Sequence, residues 1–131
     1  MSLVVVIKYP NRLSTANPGK DEYKLMLKIG LLNLAGSSDI NESIRKFIPP
    51  GAVGIKTNCL VRKFNSTPVA LTDALAELLT DAGHKDNDII IWDRTNRELE
   101  SAGFTLNASS AGIRYLGTDT TPGIGARASN G

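Results

Sequence analysis

Apolar positions along the chain fall into blocks of two kinds. Leu3-Val4-Val5-Val6-Ile7 is a β-branched run without polar alternation that ends before Pro10, and such a run predicts a strand covered on both faces. Asn11 to Lys20 is polar and contains Pro18 and Gly19, the composition of a loop. From Asp21 the period becomes helical: Tyr23, Met26, Leu27, Gly30, Leu31 and Leu34 share one face, and Gly36 offers a stop. Asp39 followed by Glu42 has capping-box spacing and opens a shorter helix with the stripe Ile40, Ile44, Phe47, which Pro49-Pro50-Gly51 ends.

Ala52 to Lys56 predicts the second strand. Thr67 as cap and Pro68 at the first helical position open a helix whose buried stripe is Leu71, Ala74, Leu75, Leu78, Leu79 and Ala82, with Gly83 as terminator. Asp88 to Asp93 is the third strand. Thr95 and Glu98 repeat the capping-box spacing ahead of Leu99, Ala102 and Gly103, and Ile113 to Leu116 reads as a short strand. Strands alternating with crossover-length helices predict an α/β fold: three-layer, with a mostly parallel sheet covered by helices, Rossmann-like in outline. The strands Leu3–Lys8, Ala52–Lys56 and Ile89–Trp92 are expected to run parallel. At 131 residues the chain is one domain's worth. Residues 1–116 are expected to form it, followed by a Gly/Thr/Ser-rich tail, 117–131, that is either mobile or truncated.

Composition narrows the partners. The formal charge is +2, which provides no dominating basic field for a nucleic-acid backbone. The longest apolar run, Leu3 to Ile7, is far too short for a transmembrane helix, and no positive segment precedes it as in a signal peptide. The expected partners are an anionic small molecule and a second copy of the chain, in the cytoplasm, without nucleic acid or membrane. Cys59 is the single cysteine, so an internal disulfide, a zinc finger or a four-cysteine iron–sulfur cluster is not expected from this chain alone. GxGxxG does not follow the first strand, and GxxxxGK[ST], HExxH, CxxC and GxSxG are absent. The dinucleotide, P-loop and commonest protease, redox and hydrolase fingerprints are therefore missing.

Ligands of open parallel sheets meet the carboxyl ends of the strands. Three polar stretches lie at such ends: Lys8 to Arg12, Lys56 to Cys59 and Asp93 to Asn96. Lys56, Asn58 and Asp93 are the candidate ligand-binding residues: an ammonium for a phosphate or carboxylate, an amide to orient it, and a carboxylate for a hydroxyl or a bridging metal. The plainer alternatives are a solvated lysine, an asparagine tying down its own loop and an aspartate capping the next helix. Arg94 and Arg97 are either anion contacts or solvated surface. Ser66-Thr67-Pro68 is either an anion cradle or a simple cap. The only histidine, His84, enters the third strand and belongs at the opposite edge from Cys59, so a Cys–His pair is not expected and Cys59 reads as an inert, partly buried thiol.

Three stretches together resemble the DUF362 family of uncharacterised proteins: Val53-Gly54-Ile55-Lys56-Thr57-Asn58, the helix opened by Ser66-Thr67-Pro68 and closed at Gly83, and Ile89 to Thr95. Glu100 to Phe104 resembles the family's segment after the third strand, and the likeness runs from about Asp21 to Leu116. Where the family has lysine–proline–asparagine, Thr57 stands in the middle here. Of its glycine–aspartate–serine, Asp93 alone carries over. The resemblance implies the amino-terminal portion of a longer domain, which in some members carries an iron–sulfur segment elsewhere. It names no reaction. Three functions remain open: an anion-binding domain, a non-catalytic assembly or scaffold domain, and a partial enzyme that needs another subunit or region.

Overall fold

The structure, a computed structural model, describes residues 2–9 and 18–119. Strands β1 (Val53–Lys56), β2 (Ile89–Asp93) and β3 (Arg114–Gly117) form a sheet in the order β1-β2-β3, with both pairs parallel. One isolated antiparallel bridge joins Asn107 to Tyr115. Among the described residues four α-helices accompany the strands: α1 (Lys20–Ala35), α2 (Ile40–Phe47), α3 (Val69–Asp81) and α4 (Asn96–Ala102). This is a three-layer α/β fold with a mostly parallel sheet flanked by helices, α1 lying against α2 and α3.

Strand alternation decides what the core contains. Ile89 and Ile91 of β2 are buried, with Val53 and Ile55 beside them in register. They pack with Ile44 of α2, Ala76, Leu78 and Leu79 of α3, Leu99 of α4, and Phe104. The helical period of α3 puts Ala74, Leu78 and Leu79 inside as the stripe predicts, and adds Thr72 and Ala76. Tyr115 spans the layers: its hydroxyl donates to Asp73 Oδ1 of α3 at 2.9 Å. Burial, with the Asp73 carboxylate next, pushes that phenol well above the ordinary tyrosine value. The outer helix is clasped electrostatically. Lys20 and Lys24 of α1 reach Glu77 of α3 at 2.7 and 2.5 Å, and the bonds from Lys20 and then Lys24 bring its carboxyl down to about 2.

The local signals at helix ends act much as their chemistry dictates. Asp39 caps α2, accepting from the amides of Asn41 and Glu42 at 2.7 and 3.0 Å. The reciprocal half of the box runs through Ser37, whose hydroxyl takes the Asp39 N–H and donates to Glu42. Thr95 caps α4 by accepting from Glu98 N–H at 3.2 Å.

Three expectations change. Leu3–Lys8 is not a strand of the sheet: residues 2–9 carry no strand pairing. Val5 and Ile7 lie along the apolar face of α1, beside Tyr23, Met26 and Gly30, while Val4 and Val6 are exposed. A β-branched run fixes a preference for extended backbone but not a partner. The third strand is instead Arg114–Gly117. Helix α3 begins one residue late, with Pro68 at the cap position, because the Thr67 hydroxyl is taken by the amide of Asn58. Gly117, placed by sequence at the start of the tail, closes β3, and Asp119 accepts from the amide of Asn96 at 3.0 Å. The remainder of the expected tail, from residue 120, and most of the polar segment near Asn11 lie outside the described residues.

Candidate functional site

Parallel pairing brings the ends of β1, β2 and β3 to one edge, and Asp93 is its pivot. The carboxylate is 5% exposed and serves three donors. Lys56 Nζ donates to Oδ1 at 2.7 Å, the Arg94 amide to Oδ1 at 2.7 Å, and the Cys59 amide to Oδ2 at 2.6 Å. Burial pushes this carboxyl up, but the bonds from Lys56, Arg94 and Cys59 outweigh it and hold it below the ordinary value. Asp93 therefore rivets the loop after β1 to the loop after β2.

The Lys56 ammonium also donates to the Thr57 carbonyl and lies 5.4 Å from the centre of the Trp92 ring. Trp92 comes close because its neighbour is glycine: a Cβ on Gly54 would stand 3.2 Å from the indole nitrogen. The structure thus joins Lys56 to Asp93. It does not bring Asn58 to them. The Asn58 side chain accepts from the Leu60 amide at 3.3 Å, so it braces its own loop. Cys59 is 1% exposed, with Thr57 Oγ1 3.3 Å from its sulfur. Burial raises its thiol, which leaves it protonated at neutral pH. His84 sits at the other edge, its Nδ1 3.2 Å from the Gly51 carbonyl ahead of β1, as its place in the sequence requires.

Beside the rivet lies a cleft of about 330 Å³, walled by Leu60 and Arg62 on one side and by Arg94, Arg97, Glu98 and Ser101 on the other. Its three arginines come from three segments: the turn after β1, the loop after β2, and α4. Arg94 is paired with Glu98 in the i, i+4 relation. Among the described residues, Arg62 and Arg97 have no carboxylate partner. Sequence reasoning places Arg94 and Arg97 near this edge, yet the part of Arg62 was hidden, because a short 3₁₀ turn (Arg62–Phe64) with Arg62 at φ 54° swings it round. A non-glycine residue in the left-handed region was the signal to look for, and it exists only in coordinates.

The third strand completes the edge. Thr118 N–H donates to the Asp93 carbonyl at 3.0 Å and its hydroxyl donates to the Arg94 carbonyl at 2.9 Å. The Gly117 amide donates to Asn96 Oδ1 at 2.7 Å. Among the described residues no group of three or more His, Cys, Asp or Glu is arranged to hold a metal ion, and no helix is long and apolar enough to cross a membrane. Comparison of the chain with protein-family models, curated proteins and solved structures yields no match.

Proposed function

We propose that the domain binds a small anionic molecule in the cleft at the carboxyl edge of the sheet. The observation that carries this is the pair of guanidinium groups, Arg62 and Arg97, that face one cleft without a carboxylate partner among the described residues. Guanidinium groups present planar pairs of donors suited to phosphate and carboxylate oxygens. Lys56, whose charge is met by Asp93, and Asn58, which braces the loop, position this site; the arginines make contact with the anion. The likeness to DUF362 proteins, whose carrying stretches include the ends of β1 and β2, is compatible with a ligand at this edge and adds no reaction to it.

A thermal melt against millimolar phosphate, sulfate, citrate and sugar phosphates tests the reading. At least one anion is expected to raise the melting temperature. Arg97→Ala and Arg62→Ala are expected to remove the rise, while Cys59→Ala keeps it. A rise that survives both arginine changes, or its absence with every anion, sinks the assignment.

A further inference from the structure

The turn between β1 and α3 is built unusually for a segment so apolar. Its base is closed by two hydrogen bonds: the Asn58 amide donates to Thr67 Oγ1 and the Thr67 amide to the Asn58 carbonyl, each at 2.9 Å. Inside it, the Arg62 amide donates to the Cys59 carbonyl and Ser66 Oγ to the Arg62 carbonyl. The Lys63 stem lies beside Gly103 at the end of α4. Backbone bonds and a lysine stem hold the turn, so its large apolar side chains are left facing solvent. Phe64 is 94% exposed, Leu60 67% and Val61 49%. From Thr57 to Pro68 there is no acidic residue, and Arg62 and Lys63 sit among the apolar ones. Arg97 of α4 faces Leu60 and Arg62 across the cleft.

We propose that this turn docks the domain onto an anionic bilayer surface, with Phe64, Leu60 and Val61 entering the headgroup region and Lys63 and the arginines meeting lipid phosphates and carboxylates. A braced turn loses little conformational freedom on insertion, and apolar side chains interleaved with cations are the combination that such a surface rewards. The charge pattern selects a polyanionic partner. Two of the three exposed side chains are aliphatic and offer no ring for base stacking, which favours lipid over single-stranded nucleic acid. The absence of a spanning helix is no obstacle, because a peripheral contact needs none. The docking surface shares Leu60, Arg62 and Arg97 with the cleft, whereas Phe64 and Lys63 do not line it and serve the surface alone.

Sedimentation with phosphatidylcholine vesicles, with and without about one part in four of phosphatidylserine, reads the proposal directly. Binding is expected with phosphatidylserine only, weakening about tenfold or more when ionic strength rises from about 0.1 to about 0.5 M. Phe64→Ala is expected to weaken it about fivefold or more with melting temperature and any anion-induced melting shift unchanged, and Lys63→Ala to weaken it by a smaller factor with the anion-induced shift unchanged. Equal binding to both vesicle types, no sedimentation with either, or indifference to Phe64→Ala overturns the proposal. So does tighter binding of an oligouridylate that depends on Phe64. If Arg97→Ala abolishes the anion shift while vesicle binding persists, the two sites are separate. Failure of the unmutated protein to bind vesicles while its anion shift is intact removes this inference and leaves the cleft standing.

Discussion

The two edges of the sheet use the same kinds of side chain to opposite ends. At the amino edge three polar side chains close on backbone carbonyls. His84 meets the Gly51 carbonyl, Asn87 donates to the carbonyls of Ser109 and Gly112 at 3.2 and 3.1 Å, and Arg114 Nε donates to the Asn87 carbonyl at 3.0 Å. At the carboxyl edge a buried carboxylate gathers two loop amides and a lysine, and beyond it stand two arginines without a carboxylate partner among the described residues. His84, Asn87 and Arg114 at the first edge are spent on carbonyls, whereas Arg62 and Arg97 at the second have no carboxylate partner among the described residues. Surplus charged donors held in place by a buried rivet are what an anion site needs.

The sharpest way to break the contrast is at Gly117. A Cβ there would collide with the backbone of Thr95 and Asn96, where β3 meets the start of α4. Gly117→Ala is expected to cost about 3 kcal/mol or more, with loss of the anion response, measured by urea unfolding. A cost below about 1 kcal/mol would show that the edge yields easily.

Asp93 comes next. Asp93→Ala leaves the buried Cys59 amide and the part-buried Arg94 amide without their acceptor and releases the half-exposed Lys56 ammonium, and is expected to cost about 2–3 kcal/mol. The wild-type carboxyl titrates below its unfolded value, so its contribution is fully present above the ordinary carboxylate range. That contribution is lost as pH falls through the native value. Asp93→Asn should flatten the acid limb of the stability curve, and an unchanged limb would deny the rivet its role. At the amino edge, His84→Ala removes one bond to one carbonyl and is expected to cost about 1 kcal/mol, with the anion response intact. Arg97→Ala should alter stability by no more than about 0.5 kcal/mol while removing the anion response. If His84→Ala abolishes that response, or if Arg97→Ala is the more destabilising of the two, the difference between the edges has been misread.

The sequence by itself determined the local pieces. Periodicity and cap chemistry placed α1, α2, α4, β1, β2 and the short β3 near their observed bounds, since a stripe of Leu and Ala or a capping Asp39 or Thr95 acts within a few residues of itself. The chain order also put His84 and Cys59 at opposite edges, because parallel strands with crossovers leave no other arrangement. Only the tertiary structure decided which extended run joins the sheet. Leu3–Lys8 has the stronger strand propensity, yet Arg114–Gly117 pairs with β2, because pairing depends on what stands alongside. The same holds at the edge. That Lys56 is held by Asp93 and that Arg62 and Arg97 share a cleft are outcomes of contacts between residues roughly 35 apart along the chain, whereas Asn58 bracing its own loop is a contact two residues long that the plainer reading of the sequence already offered. Such long-range neighbours leave no period or spacing in the sequence to be read.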